Sequence, residues 1–166
     1  AITNFGTDEQ KQNFLPKIVS GDLTTALAID ESSHHNPKET EMIAKKEGES
    51  FIINGKKTFV VDGASADLFI VLARTSGNKG DMTGLTLFLV DSNTKGIEKI
   101  KLEMADSRNY ANINFDNVEI CNSNILGDAE AGGETVEDIL DVGRIAIASE
   151  MLGNAEAAFD ATLDYL

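Results

Sequence analysis

Near residue 130 the hydrophobic period of this chain changes, and the change leaves few folds open. Before it, apolar residues come in short runs broken by Gly, Asn and charged clusters. After it, Val136, Ile139, Leu140, Gly143, Ile147, Met151, Ala155, Ala158, Phe159 and Leu163 fall close to one helical stripe, with Asp141, Glu150, Glu156 and Asp160 mostly outside it. A helix of about 33 residues is roughly 50 Å long, longer than a small β-domain is wide, so it must project. Too little sheet is available to cover its stripe. The expected setting is therefore a helical bundle whose other members lie outside this chain, and with no stop signal before Tyr165-Leu166 the chain reads as cut there.

Thr7 followed by Asp8, Glu9 and Gln10 is a helix start, and Phe14, Leu15, Ile18 and Val19 carry a short amphipathic helix to Gly21, with Pro16 expected to kink it or to lie in its first turns. Thr24 to Ile29 suits a buried strand, and Asp30 to Thr40, polar and holding Pro37, an exposed loop. Met42 to Lys46 and Ser50 to Ile53 flank Glu47-Gly48-Glu49, after which Asn54-Gly55 is a strong hairpin-turn signal. Lys57 to Val61, Leu68 to Arg74, Leu85 to Asp91, Ile97 to Lys101 and Tyr110 to Val118 continue the series. The fold class is mainly β: an antiparallel β-sandwich or barrel with a short N-terminal helix and a long C-terminal helix from near Gly133. The expected division is a connector over 1–23, a β-domain over 24–126, and a linker with the first helix of a bundle over 127–166.

Charge and composition narrow the function. With 28 acids against 14 bases the net charge is −14, which repels nucleic acid and anionic lipid. No apolar run is long enough to span a membrane, and the start of the chain has neither the basic end nor the apolar centre of a signal peptide. Cys121 is the single cysteine, so no disulfide forms within the chain and a reducing cytoplasm fits. The adjacent His34 and His35 lack a third ligand at metal-site spacing and read as a solvated loop, so no metal is expected. An anionic ligand would need Arg74, Arg108 or Arg144, the only arginines, each of which reads more readily as a surface ion pair.

Several stretches, in this order, resemble the acyl-CoA dehydrogenases. Gly6-Thr7-Asp8-Glu9-Gln10 through Ser20-Gly21 is similar to the connector opening that family's middle domain, and Ile53-Asn54-Gly55-Lys56-Lys57, Ala66-Asp67, Ala73-Arg74-Thr75 and Leu87-Phe88-Leu89-Val90 to its strands. Phe115-Asp116-Asn117-Val118 and Asn124-Ile125-Leu126-Gly127 resemble the end of the β-domain, and Gly143-Arg144-Ile145-Ala146 with Leu152-Gly153 the first helix of the C-terminal bundle.

The resemblance implies part of an FAD-dependent enzyme that desaturates an acyl-CoA thioester between its α and β carbons and passes a hydride to the flavin. It implies FAD contacts at Leu27, Ile29, Asp30 and Glu31 and, in place of the family's Trp-Ile-Thr, at Phe59, Val60 and Val61; these three read equally as ordinary strand residues. For acyl-CoA it implies Asn36, Asp141 and Arg144, the last two also readable as a salt bridge on one helix face. Of the family's flavin loop only Glu31 remains. Asp30, where the family has Thr, brings an anion towards a ring that must accept a hydride, and should lower its reduction potential. Val61 offers only its backbone where the family has a hydroxyl. Arg108, in Met104-Ala105-Asp106-Ser107-Arg108, either replaces or is unrelated to the Arg of the family's Gly-x-Arg-x-Ser. No catalytic base is assigned: some members keep it where Gly143 stands, most place it beyond Leu166. The isolated chain is expected to bind FAD weakly or not at all, and to form homo-oligomers through the C-terminal helix. The alternative is a diverged, non-catalytic acyl-CoA-binding or oligomeric interaction module of the same fold.

Overall fold

The computed structural model describes residues 1–166, which divide into two compact units, Ala1–Glu134 and Thr135–Leu166. The first opens with α1 (Ile2–Phe5) and α2 (Asp8–Ser20). Thr7 starts α2 as a capping box: its hydroxyl accepts from the Gln10 amide and its own amide donates to the Gln10 side chain. The helix runs on past Pro16 to Gly21, which closes it at φ +82°. Gln10 is buried, and its Nε2 donates to the Ser123 and Ile125 carbonyls, docking α2 on the far end of the sheet.

The strands are β1 (Thr25–Ala28), β2 (Ile43–Glu47), β3 (Ser50–Val60), β4 (Leu68–Arg74), β5 (Leu85–Asp91), β6 (Ile97–Lys101), β7 (Ala111–Cys121) and β8 (Ile125–Leu126). They form one sheet in the order β6-β7-β3-β2-β4-β5-β8, with β1 also on β4. Five of the seven strand pairings are antiparallel, as the alternating runs imply. The exceptions meet on β4, where β1 lies parallel along its first half and β2 joins at Ile43 and Arg74, the Arg74 amide donating to the Met42 carbonyl. The sheet folds over on itself, so that Phe51 of β3 meets Phe88 of β5 edge to face with ring centroids 5.1 Å apart. Ala28, Ile53, Phe69, Val71, Ile113 and Val118 share that core and are fully buried.

Three sequence expectations change. Asn54-Gly55 is not a turn: β3 runs straight through it, because residues 50–60 pair along their length with β7. The extra residue belongs to β7, where Asn117 bulges out at φ +50° and gives its amide to Asn54 Oδ1. Gly55, at φ +144°, packs so closely on Met42 that a Cβ would lie 2.9 Å from its Cγ. Lys57 to Val60 is accordingly the last part of β3 rather than a separate strand, and Val61 falls in the turn after it. A second irregularity lies there: Thr58 and Phe59 together oppose Asn112, and Phe59 takes up the slack at φ +50°. Inward positions run Phe51, Ile53, Lys57, Val60, so the slip turns Phe59 outward and Val60 inward. The Asp30–Thr40 loop, expected to be exposed, tucks Pro37 and Thr40 into the interior around a short 3-10 turn, Pro37–Glu39.

α3 (Gly132–Tyr165) begins where Gly132 lies against β5, a Cβ there meeting the Leu85 carbonyl at 2.8 Å. Along the second unit Val142, Ile145, Ile147, Met151, Leu152, Phe159 and Leu163 are 55–70% exposed. No helix is long and apolar enough to cross a membrane.

Candidate functional site

The adjacent acids Asp30 and Glu31, just after β1, send their carboxylates to different partners. The Asp30 side chain, 22% exposed, has Oδ2 2.8 Å from His35 Nδ1, and its Oδ1 accepts from the Asn36 amide at 3.0 Å. Glu31 turns in: Oε1 accepts from Lys57 Nζ at 2.8 Å and from the Met42 amide at 3.0 Å, and Oε2 from the Glu41 amide at 2.8 Å. One carboxylate thus ties the loop after β1, the entry to β2 and the middle of β3. Lys57 is wholly buried, and its ammonium also donates to the Ile29 carbonyl at 3.1 Å and Thr40 Oγ1 at 3.4 Å. Burial brings its pKa down to about 8, against the opposing pull of Glu31 and Asp30.

The next residue continues the contact. The Thr58 amide donates to the Asp30 carbonyl at 2.8 Å and its hydroxyl to the Ser32 carbonyl at 3.1 Å. Residues 29–32 therefore lie along residues 57–58, and Phe59 follows at once. Its amide donates to Asn112 Oδ1, and its ring stands edge-on to Tyr110 with centroids 6.3 Å apart. Phe59 is 48% exposed and Val61 46%. A small cleft of about 210 Å³ opens beside the loop, lined by Glu31, Ser32, His34, Asn36, Thr40 and Lys79 among others.

The expected flavin positions are thus brought together, with Asn36 joined to them through Asp30, but they are not equivalent. The side chains of Ile29 and Val60 are buried, leaving their backbones, and Leu27 is half-buried. A flat heteroaromatic cofactor such as FAD needs an exposed apolar plate with polar groups along its rim. Phe59 and Val61, each about half exposed, would offer such apolar surface, and Asp30, whose carboxylate is bonded by His35 and the Asn36 amide, lies with its backbone against the neighbouring Thr58, so these residues fit such a group. Asp141 and Arg144, in the second unit, meet at 2.6 Å, and Arg144 also reaches Glu137 at 2.9 Å. Hydrogen bonds donated to the Asp141 and Glu137 carboxylates push the Arg144 pKa up.

Arg74, a sequence candidate for phosphate, has a different task. Nε donates to the Thr40 carbonyl, Nη1 to those of Ser76 and Thr83, and Nη2 to those of Lys38 and Asp81, so all five N–H groups are spent on backbone carbonyls. It neither faces a ligand nor forms a surface ion pair. Arg108 lies exposed in its loop, 3.8 Å from Asp106. Sequence reasoning missed Lys57, Thr58 and Thr40. A signal existed for Lys57: counting alternate residues from Phe51 and Ile53 puts it on the inward face, and an inward lysine demands a partner.

Residues 28–118 match the family described as acyl-CoA dehydrogenase, middle domain. A Bacillus subtilis acyl-CoA dehydrogenase is 36% identical over 99% of this chain and 44% of its own length. A 3-(aryl)acrylate reductase of Clostridium sporogenes is 36% identical over 96% of the chain and 43% of its own. The crystal structure of butyryl-CoA dehydrogenase from Megasphaera elsdenii superposes with a TM-score of 0.86 at 33% identity, over 95% of this chain and 42% of that one. The chain therefore spans under half the length of these relatives.

Proposed function

The chain belongs to the acyl-CoA dehydrogenase family, and we propose that it forms the flavin- and acyl-CoA-contacting portion of an FAD-dependent enzyme that desaturates an acyl-CoA thioester. The observation that carries this reading is the outward-turned Phe59, with the half-exposed Val61, next to the strand residues that bond the Asp30–Glu31 loop, at positions for which the resemblance implies flavin contacts. Bound FAD would supply the hydride acceptor. Phe59 and Val61 would bear on its ring, the backbones of Leu27, Ile29 and Val60 would line the approach, and Glu31 would keep the loop in place from behind. Asn36, Asp141 and Arg144 would meet the acyl-CoA, Arg144 exchanging one of its carboxylate partners for the ligand's phosphate or carbonyl oxygens. In this reading 1–23 is a connector, 24–126 the β-domain and 127–166 a linker with the first helix of a bundle, working as a homo-oligomer through α3 in the cytoplasm.

Titration of the chain with FAD by calorimetry and absorbance tests the cofactor half. Weak binding that Phe59→Ala abolishes is expected; binding indifferent to that change would place the flavin elsewhere. Arg144→Ala should weaken butyryl-CoA binding while leaving helix content unchanged. A second reading, a non-catalytic acyl-CoA-binding module, draws support from the Asp30–His35 pair that stands in place of the family's loop. Butyryl-CoA binding with no FAD binding under any condition would favour it.

A further inference from the structure

Lys57 is an expensive choice for its place. It is 0% exposed on a strand whose other inward residues are Phe51, Ile53 and Val60, and a leucine or methionine would fill the space without desolvating a charge. What the ammonium adds is three directed bonds, to Glu31, the Ile29 carbonyl and Thr40. Two of these partners flank Asp30, so Nζ grips the chain on both sides of that residue. Thr58, next along, fixes the Asp30 carbonyl from the same strand, and Phe59 comes immediately after.

We propose that Lys57 is a positioning residue, holding Asp30 at a fixed depth and orientation beside Phe59 and so setting the polar rim of the flavin-contacting surface against its apolar plate. This rests on the reading of that surface as a flavin contact. Methionine could pack there but would leave Glu31 to the Met42 and Glu41 amides and the Ile29 carbonyl to the Thr40 hydroxyl, with nothing joining the two across Asp30. The charged groups around Nζ are Glu31, in direct contact, and Asp30, close enough to act on it; Arg74 approaches through the shared Thr40, and Ile113 opposite on β7 is apolar. The grip is therefore sensitive to protonation. With the ammonium's pKa brought to about 8, mildly alkaline solution turns it into an amine and takes the countercharge from Glu31.

The test follows backbone amides of the chain by NMR between about pH 6.5 and about pH 9.5. Asp30, Glu31, Ser32, Thr58 and Phe59 should shift together with one midpoint near 8. Glu31→Gln removes the carboxylate that raises the ammonium's pKa, so the midpoint should move to lower pH. Lys57→Met should erase the transition while the β4 amides Leu68–Arg74 hold their places. If Lys57→Met does not fold, the Glu31→Gln midpoint carries the test. Amides at 30–32 and 58–59 that do not titrate, or that titrate unchanged in either variant, would overturn the proposal. Added FAD separates the two layers. Smaller FAD-induced shifts at Phe59 in Lys57→Met than in the parent support positioning, and equal shifts overturn it. Absence of shifts in both at millimolar FAD, where weak binding still registers, overturns the flavin reading and the positioning role that depends on it, while the pH series still reports whether the grip exists.

Discussion

The Lys57 ammonium lies 2.8 Å from the Glu31 carboxylate with its own side chain closed to solvent and the glutamate's 19% open. The pair is therefore asymmetric: water can compensate the acid but not the base. Glu31→Gln, which strands a buried cation, should lower stability by about 3 kcal/mol, and adding Lys57→Met should recover much of that loss. Urea denaturation of the parent, both single variants and the double variant measures the cycle. A double variant no more stable than Glu31→Gln would mean that the ammonium finds other compensation.

The same lysine sets a pH dependence whose sign is opposite to that of an ordinary salt bridge. Its pKa falls from 10.5 to about 8 on folding, so between those values the unfolded chain binds more protons and stability rises with pH. The burial penalty stands in full below that window and is relieved across it, by on the order of 3 kcal/mol. Denaturation at about pH 8 and about pH 10, read as the difference between the parent and Lys57→Met, should show this gain in the parent alone.

Arg74 joins three backbone segments through five carbonyls, a fan of acceptors that a point charge cannot reproduce. Arg74→Lys should cost about 3 kcal/mol by leaving carbonyls unpaired, despite keeping the charge. Hydrogen exchange should quicken across residues 76–84 and in the Lys38–Thr40 stretch. Unchanged protection would show that the loops hold themselves.

Gly55 combines a φ of +144° with a side chain packed on its face. Gly55→Ala should destabilise the chain by more than about 1 kcal/mol, and Met42→Ala added to it should relieve the contact with Cγ but neither the close approach of the residue 42 Cα and Cβ nor the backbone strain. Thermal melts of the single and double variants separate the two contributions.

The apolar residues of α3 invite association. Met151 and Phe159 are 67% and 63% exposed, and a double change to Glu should lower the sedimentation-average mass of a self-associating chain. A parent that stays monomeric at high concentration would remove α3 as the contact.

How much of this was legible in the sequence follows the range of the forces involved. The Thr7 capping box, the runs of β4 and β5 and the long reach of α3 depend on neighbours within a few residues, and the order of local motifs carried the family resemblance. Asn54-Gly55 misled because its turn preference is local, whereas β3 is held straight by β7 some 60 residues away in sequence. The parallel seating of β1 on β4 needs a connection through β2 and β3 that no window of sequence displays. At the site, Phe59 and Asp30 were named from resemblance. Lys57 was missed because a lysine in a strand is ordinarily read as solvent-facing, and its Glu31 partner is 26 residues away.

Phe59 owes its outward aim to a one-residue slip between β3 and β7, and its own backbone bears the cost, since φ +50° suits glycine or asparagine better than an aromatic residue. A strained position of this kind is worth roughly 1–3 kcal/mol. Stability and recognition accordingly pull apart at this position. A screen for tougher variants, blind to ligand, would favour Phe59→Gly or Phe59→Asn and discard the ring; a lineage that keeps the ring under this strain is held there by something other than the demands of folding.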